Sequence, residues 1–592
     1  MNSEKQNSAQ KICTQGWIFI AGLLLALPFS LSAQQVSADI RLNQIGFYPT
    51  SEKIAVLAKD VSGKFHVAST DLAETLFTGE LSASVKSAYS DHTTRIADFT
   101  SFQKPGTYVL YVPEVGFSYQ FEIKPKVHHK LAVASLKSYY YQRLSMPLTA
   151  QYAGKWSRPA GHPDDKVLVH ASAATAQRPE GTVISSSKGW YDAGDYNKYI
   201  VNSGITVGTL LSLYEDFPDY SKQIDVNIPE SNNTIPDLLD EVLWNLRWML
   251  TMQDPSDGGV YHKLTNASFD GFILPADAKA PRYVVQKSTT AALDFAAVTA
   301  QAARIFKKFT KEIPGLADSC LAASEKAWGW AVKNPAVMYN QRVMNTNFDP
   351  DISTGEYGDR SVADEFIWAA SELYVTTKKE SYYKAVNLFP DSKMEVPSWG
   401  DVRLLGYYSL LRFEKELTPV ASNDLAGLKK NMLALADSIL DGYKNNAYMT
   451  PMCNTSKNFI WGSNAVAANQ AIALIQAYKL SKDKKYLAGA IHYLDYLMGR
   501  NATGFSYVTG CGDKTPMFPH HRPSGADEIS EPIPGLLVGG PNLGRQDGCK
   551  YPSLIPDEAY VDVTESFASN EVAINWNSPL IYLVWALEAL QN

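Results

Sequence analysis

Gly189 to Ile200 reads GWYDAGDYNKYI. Within it Asp192 and Asp195 are separated only by Ala193 and Gly194, and Trp190, Tyr191, Tyr196 and Tyr199 flank them. Small residues between two acids let the backbone turn tightly, so both carboxylates can point into one space. Aromatic rings beside acids suit a sugar, whose C–H faces stack on the rings while its hydroxyls reach the carboxylates. The same residues could also form a plain polar turn held by Asx-type hydrogen bonds. The rest of the chain has to separate these readings.

The stretch lies near the start of a long region of helical period. From about His128 the apolar spacing predicts helices at 128–145, 199–215, 234–253, 287–308, 313–333, 362–376, 380–388, 400–413, 424–444, 464–480, 484–499 and 569–590. Two of them, around Ala291–Ala303 and Ala465–Ala477, are rich in alanine, and small faces let helices pack closely. About twelve helices with no strands between them predict six helical hairpins closed into an (α/α)6 barrel over 128–592. The loops 254–286, 334–361 and 502–568 are long, aromatic and rich in Gly and Pro. Loops of that length are uncommon unless they build a site.

Ahead of this region the period is two. Tyr108, Leu110 and Val112 alternate along one run and Phe117, Tyr119, Phe121 and Ile123 along another, with Pro105-Gly106 as a turn signal before the first. Short strands over residues 36–125 predict a small immunoglobulin-like β-sandwich acting as structural support. The fold class expected is therefore mainly α, an (α/α)6 barrel preceded by that sandwich.

The first 33 residues have the form of a signal peptide. Lys5 and Lys11 precede the apolar run Trp17–Leu27, and Leu31-Ser32-Ala33 supplies a cleavage site. The run is short for a membrane span, and Cys13 precedes it, which does not favour lipid anchoring. Export to the periplasm or medium is expected, without stable membrane insertion. A net charge of −7 and no clustered basic residues argue against nucleic acid as a partner. Of five cysteines, Cys320, Cys453, Cys511 and Cys549 would remain after cleavage. Export permits a disulfide, with Cys511–Cys549 the favoured pair, while free buried thiols fit equally.

Near the C-terminus Tyr560 to Ser578 reads YVDVTESFASNEVAINWNS, with Asp562, Glu565 and Glu571 as its acids. The helix pattern puts Glu571 in the first turn of the last helix, where an acid can be no more than a cap favoured by the helix dipole. Between the two acidic stretches Ser506 to Arg522 reads SYVTGCGDKTPMFPHHR, and Asn43 to Lys53 reads NQIGFYPTSEK. These motifs, in this order along the whole helical region, resemble glycoside hydrolase family 9, the cellulase family with an (α/α)6 barrel often preceded by an immunoglobulin-like domain.

The resemblance implies Asp195 as the general base that activates water, Asp192 as the residue that helps hold that water, and Glu571 as the general acid. His520 and Arg522 would bind the sugar beside the scissile bond. Tyr560 and Asp562 join them as substrate contacts, and Trp190, Trp399 and Trp461 are candidate stacking platforms, although a lone tryptophan is more often core. An inverting glycosidase separates its two carboxyls by about 6.5–9.5 Å, leaving room for the water. Glu571 must keep its proton, so its pKa should rise from about 4.3 toward about 6, a cost of roughly 2 kcal/mol. Trp576, Tyr560, Asp562 and Asp195 would have to outweigh the helix dipole to do this.

No cofactor is required by such chemistry. Relatives often carry zinc, but Leu144 and Gly161 stand here where thiols would be, leaving only His162 and His170. No structural zinc is expected. A structural calcium near Asp364, Glu365 and Asp401 is left open beside ordinary solvated or capping acids. The expected substrate is a cellulose-like, mixed-linkage or xyloglucan β-glucan cleaved internally by a monomer. Exo action on oligosaccharides, a non-catalytic glycan-binding protein and a polysaccharide lyase are the alternatives.

Overall fold

The computed structural model describes residues 36–591, so the proposed signal peptide lies outside the described residues. Val36 onward forms one compact unit with two large hydrophobic cores and two small clusters.

The smaller core belongs to a sandwich of two sheets. One runs Ile40–Arg41, Ile54–Leu57, Thr93–Asp98, Val85–Lys86, and the other Gly46–Phe47, Phe121–Ile123, Gly106–Val112, Lys64–Ala68, Thr75–Glu80. Alternate side chains point inward, so Phe47, Phe65, Phe99 and Phe121 meet between the sheets. The sandwich is tied to the helical part by buried and half-buried polar contacts. Asn43 Nδ2 donates to Asp495 Oδ1 at 2.9 Å, Tyr48 Oη to Glu588 Oε1 at 2.8 Å, and His492 Nε2 lies 2.8 Å from Glu52 Oε2.

In the larger part, helices buried along most of their length alternate with helices that keep a polar face. The inner members are Ile200–Asp216, Thr289–Phe306, Ala363–Thr377, Arg403–Arg412, Ser463–Ser481 and Ile574–Leu590. His129–Tyr141, Asp237–Thr251, Leu316–Lys333, Glu380–Ala385, Ser422–Leu440 and Lys484–Leu497 stand outside them. This is the (α/α)6 arrangement.

The expectation of no strands within the barrel region is corrected. Val183–Ile184, Val167–Val169, Arg282–Val284, Lys263–Asn266 and Lys198–Tyr199 form a five-stranded sheet in that order. Strands of two to four residues are too short to show a period. The sheet bears on function because Tyr199 pairs directly with Lys263, fixing the segment that follows Asp195.

Candidate active site

The two acidic stretches meet backbone to backbone. Ile574 N donates to Asp192 O at 2.8 Å, Arg522 N to Gly194 O at 3.1 Å and His520 N to Asn570 O at 2.9 Å. Glu571 bridges His520 in parallel register, and its carbonyl accepts from Gly539 N at 2.8 Å. Those bonds hold Glu571 extended, at φ −72° and ψ 158°, just after the short helix Phe567–Asn570. The last helix begins only at Ile574. Glu571 therefore does not sit in that helix's first turn.

Gly194 allows this meeting, for a reason other than tight turning. A Cβ there would stand 2.1 Å from His520 O, so only glycine lets the two segments lie this close.

Asp195 is held on one side only. Its Oδ2 accepts from Asn197 Nδ2 at 2.6 Å and Tyr199 Oη at 3.0 Å. Its Oδ1 is buried and has no partner among the described residues. Asp192 is fixed by Asn202 Nδ2, 3.0 Å from each carboxylate oxygen, and by Tyr357 Oη at 2.9 Å from Oδ2. Burial, and then the charge of Asp195, push the Asp192 carboxyl well above its ordinary range against these two donors. The two acids are thus held differently: donors reach both oxygens of Asp192 but only Oδ2 of Asp195.

Glu571 is also pushed well above its ordinary range. Although part of the residue reaches solvent, enclosure of the carboxyl is the largest cause, followed by repulsion from Asp195 and Asp192, with Arg522 and the Gly194 N–H opposing. A carboxyl pushed toward its protonated form and a second carboxyl with an unpartnered oxygen thus lie within each other's field, the arrangement that proton donation at one atom and abstraction at another require.

The comparisons decide the family. The model of glycosyl hydrolase family 9 matches residues 128–584, and that of the cellulase N-terminal ig-like domain matches residues 35–116. The chain belongs to glycosyl hydrolase family 9. A xyloglucan-specific endo-β-1,4-glucanase of Bacteroides ovatus is 50% identical over 578 residues, covering 97% of this chain and 98% of that protein. Endoglucanase D of Acetivibrio thermocellus is 37% identical over 555 residues, 93% of this chain and 83% of its own length. A solved Bacteroides ovatus GH9 structure superposes with a TM-score of 0.90 at 49% identity, covering 94% of this chain and 99% of that one.

Within this family 9 hydrolase the sugar-binding expectations divide. His520 turns its Nδ1 to Thr564 O at 2.7 Å, which leaves the lone pair on Nε2. Arg522 commits Nε to Asp270 O at 2.7 Å and Nη1 to Gly194 O at 2.9 Å, so it also braces the site. Trp461 is 41% exposed and packs on Phe567 at 5.5 Å. Phe567 lies beside His520, and His520 beside the exposed Phe272, making a row of rings along the site. Trp399 is half-buried and meets Tyr357 edge-on at 5.4 Å.

Three expectations are corrected. Trp190 is fully buried, packs on Tyr139 and donates Nε1 to Glu241 Oε2 at 3.2 Å, so it is core and not a platform. Tyr560 is buried with its hydroxyl on Asn570 Oδ1 at 2.6 Å. Asp562 accepts from Met517 N, Phe518 N and Asn570 Nδ2, which pins the loop carrying His520 and leaves little of it for a sugar. The residues not foreseen are Asn197, Tyr199, Asn202, Tyr357, Phe567 and Phe272. The first three lay within or just after the opening stretch, and Tyr357 in a loop already marked as site-building.

The favoured Cys511–Cys549 disulfide is not formed, and all four described cysteines are free thiols. Cys511 packs against the barrel core, whereas Cys549 belongs to the loop closed on Asp547. Where relatives carry zinc, Leu144 packs with Tyr191, Tyr196 and Ala278, and His162 Nδ1 is engaged by Tyr191 Oη at 2.9 Å. A Cβ on Gly161 would stand 2.4 Å from Pro275, so these residues do not fit a thiolate zinc site. For calcium, Asp364 spends Oδ2 on Val402 N at 2.9 Å, and burial raises Asp364, Glu365 and Asp401, the last to about 6. Among the described residues no group of three or more His, Cys, Asp or Glu has a metal-holding arrangement.

Proposed function

We propose that this family 9 hydrolase is an exported, endo-acting β-1,4-glucanase that cleaves xyloglucan and related β-glucan chains in one displacement with inversion. The observation that carries the reading is the unequal treatment of the site's carboxyls. Asp195 keeps one oxygen free of partners, and Glu571 is driven to hold its proton on the same patch of backbone.

In this reading Asp195 Oδ1 takes a proton from water as that water attacks the anomeric carbon. Asp192, held by Asn202 and Tyr357, shares the water, and Glu571 protonates the departing glycosidic oxygen. The ring row from Trp461 to Phe272 carries neighbouring glucose units. The 50% identical relative with a xyloglucan-specific name supports the choice of polymer. Lys5, Lys11 and the apolar run after them support export, and among the described residues no helix is long and apolar enough to cross a membrane.

Hydrolysis of xyloglucan, barley glucan and carboxymethylcellulose, with product sizes followed from the first minutes, tests this. Mixed-length oligosaccharides with xyloglucan the fastest substrate are expected. Glucose or cellobiose alone from the outset would contradict endo action.

A further inference from the structure

Lys263 has no exposed surface, yet among the described residues no carboxylate lies within 4 Å of it. Its Nζ donates to Gln341 Oε1 at 2.7 Å, Thr354 Oγ1 at 3.1 Å and Gly355 O at 2.6 Å. Three acceptors call for three N–H groups, which only the ammonium form supplies. Burial pulls this amine down to about 7, with Asp195 and Glu356 favouring the charge. Keeping an unpaired cation inside a protein is costly, and its hydrogen bonds indicate what it does there.

We propose that Lys263 is a positioning residue for the family 9 reaction: its ammonium drives two hydrogen-bond relays that converge on Asp195 Oδ2 and leave Oδ1 as the proton-accepting oxygen. This rests on the reading of Asp195 as the base. In the first relay Thr354 Oγ1 must accept from the ammonium, so its own proton turns to Thr265 Oγ1, 2.6 Å away. Thr265 Oγ1 has Asn266 O at 2.8 Å and Asn197 Oδ1 at 3.0 Å as acceptors; in this relay its proton goes to Asn197 Oδ1, which Asn266 N joins at 2.9 Å. This sets the amide so that Asn197 Nδ2 faces Asp195. In the second, Gln341 Oε1 accepts from Lys263 and its Nε2 donates to Thr354 O at 2.8 Å; the N–H of that same peptide group, on Gly355, donates to Tyr199 Oη at 3.1 Å, which donates onward to Asp195 Oδ2. Every link points the same way, from cation to carboxylate, and such chains strengthen their members.

The electrostatic setting explains the need. Asp192, Glu571 and Asp270 are acids whose ionisation the charge of Asp195 opposes, so none of them offsets that charge. Arg522 is the cation beside Glu571, and His520 interacts weakly through a depressed imidazole. The phenols Tyr199 and Tyr357 are both raised and stay neutral. Lys263 is the cation that acts on Asp195 from behind Oδ2.

The test is steady-state hydrolysis of xyloglucan across pH by Lys263→Met and Thr265→Val, each checked for folding by circular dichroism. For Lys263→Met, kcat should fall roughly 10- to 100-fold, the range for losing an outer hydrogen-bond partner. KM should stay within about two-fold, because the side chain is remote from the sugar. The acid limb of kcat/KM should move to higher pH, as the lost cation no longer favours the carboxylate. Thr265→Val leaves all three Lys263 acceptors in place and should lower kcat by a smaller factor with KM unchanged. A folded Lys263→Met with wild-type kcat and an unmoved acid limb, or one that only melts earlier, overturns the proposal. If Lys263→Met does not fold, Thr265→Val decides alone, and a wild-type kcat there overturns it. Asp195→Asn must abolish hydrolysis in the same assay, and if it does not, the assignment of the base has failed instead.

Discussion

The backbone N–H of Ile574 donates to the carbonyl of Asp192 at 2.8 Å. One hydrogen bond thus joins the first residue of the last barrel helix to the first acid of the opening motif, and the last inner helix closes the ring where the site is built. The chain that completes the barrel also sets Glu571 beside Gly194.

Glu571→Gln should lower kcat on polysaccharide by roughly 10³-fold, within the range for a lost general acid. An aryl cellobioside with a good leaving group should lose far less, since that departure needs little protonation. Because the folded carboxyl is raised, wild-type kcat/KM should fall as pH rises through its pKa, and the residual activity of the variant should lack that alkaline limb. Equal losses on both substrates would remove Glu571 from the acid role.

Gly194→Ala should leave the fold intact and lower kcat about 100-fold, the effect of a displacement near 1 Å. The added carbon would meet His520 O at 2.1 Å and force the two segments apart. Activity near wild type, with an unchanged circular dichroism spectrum, would show that the close approach is not needed.

Trp461 and Trp190 should respond in opposite ways. Trp461→Ala removes an exposed ring and should raise KM for long chains by about 2- to 10-fold, with kcat and Tm little changed. Trp190→Ala removes a buried one and should cost about 3–5 kcal/mol of stability. Tm and KM measured on both variants check the assignment.

Much of this was legible in the sequence, and the failures have physical causes. Acids among aromatics at Asp192, Asp195 and Glu571 stood out because such clusters are costly unless used. Adjacency to an acid does not say which way the Trp190 ring points, and its N–H turns inward to Glu241. Glu571 was misplaced by a few residues because Phe567–Asn570 is helical and continues the pattern of Ile574–Leu590. The extended break between them is made by His520 and Gly539, which are distant in sequence. Tyr357 sits in an irregular loop at φ 46°, where no periodicity marks it.

The sandwich should depend on a titratable contact. Glu52, on the sandwich, is pulled down to about 2, chiefly by its hydrogen bond to His492. A depressed carboxylate contributes stability above its unfolded pKa of about 4.5, and that contribution fades as pH falls toward 2. Glu52→Gln should therefore lower Tm by ~2 °C at pH 7, a small value because the group is partly exposed. The gap from wild type should close below about pH 4.5. A gap that is constant with pH would contradict this.

The central claim is that Asp195 and Glu571 act on opposite sides of one sugar with a water between them. Proton NMR of the anomeric region during the first minutes of hydrolysis tests it most directly. New reducing ends should appear first as the α-anomer and then mutarotate, whereas β-anomer appearing first would mean a covalent intermediate and would contradict the account.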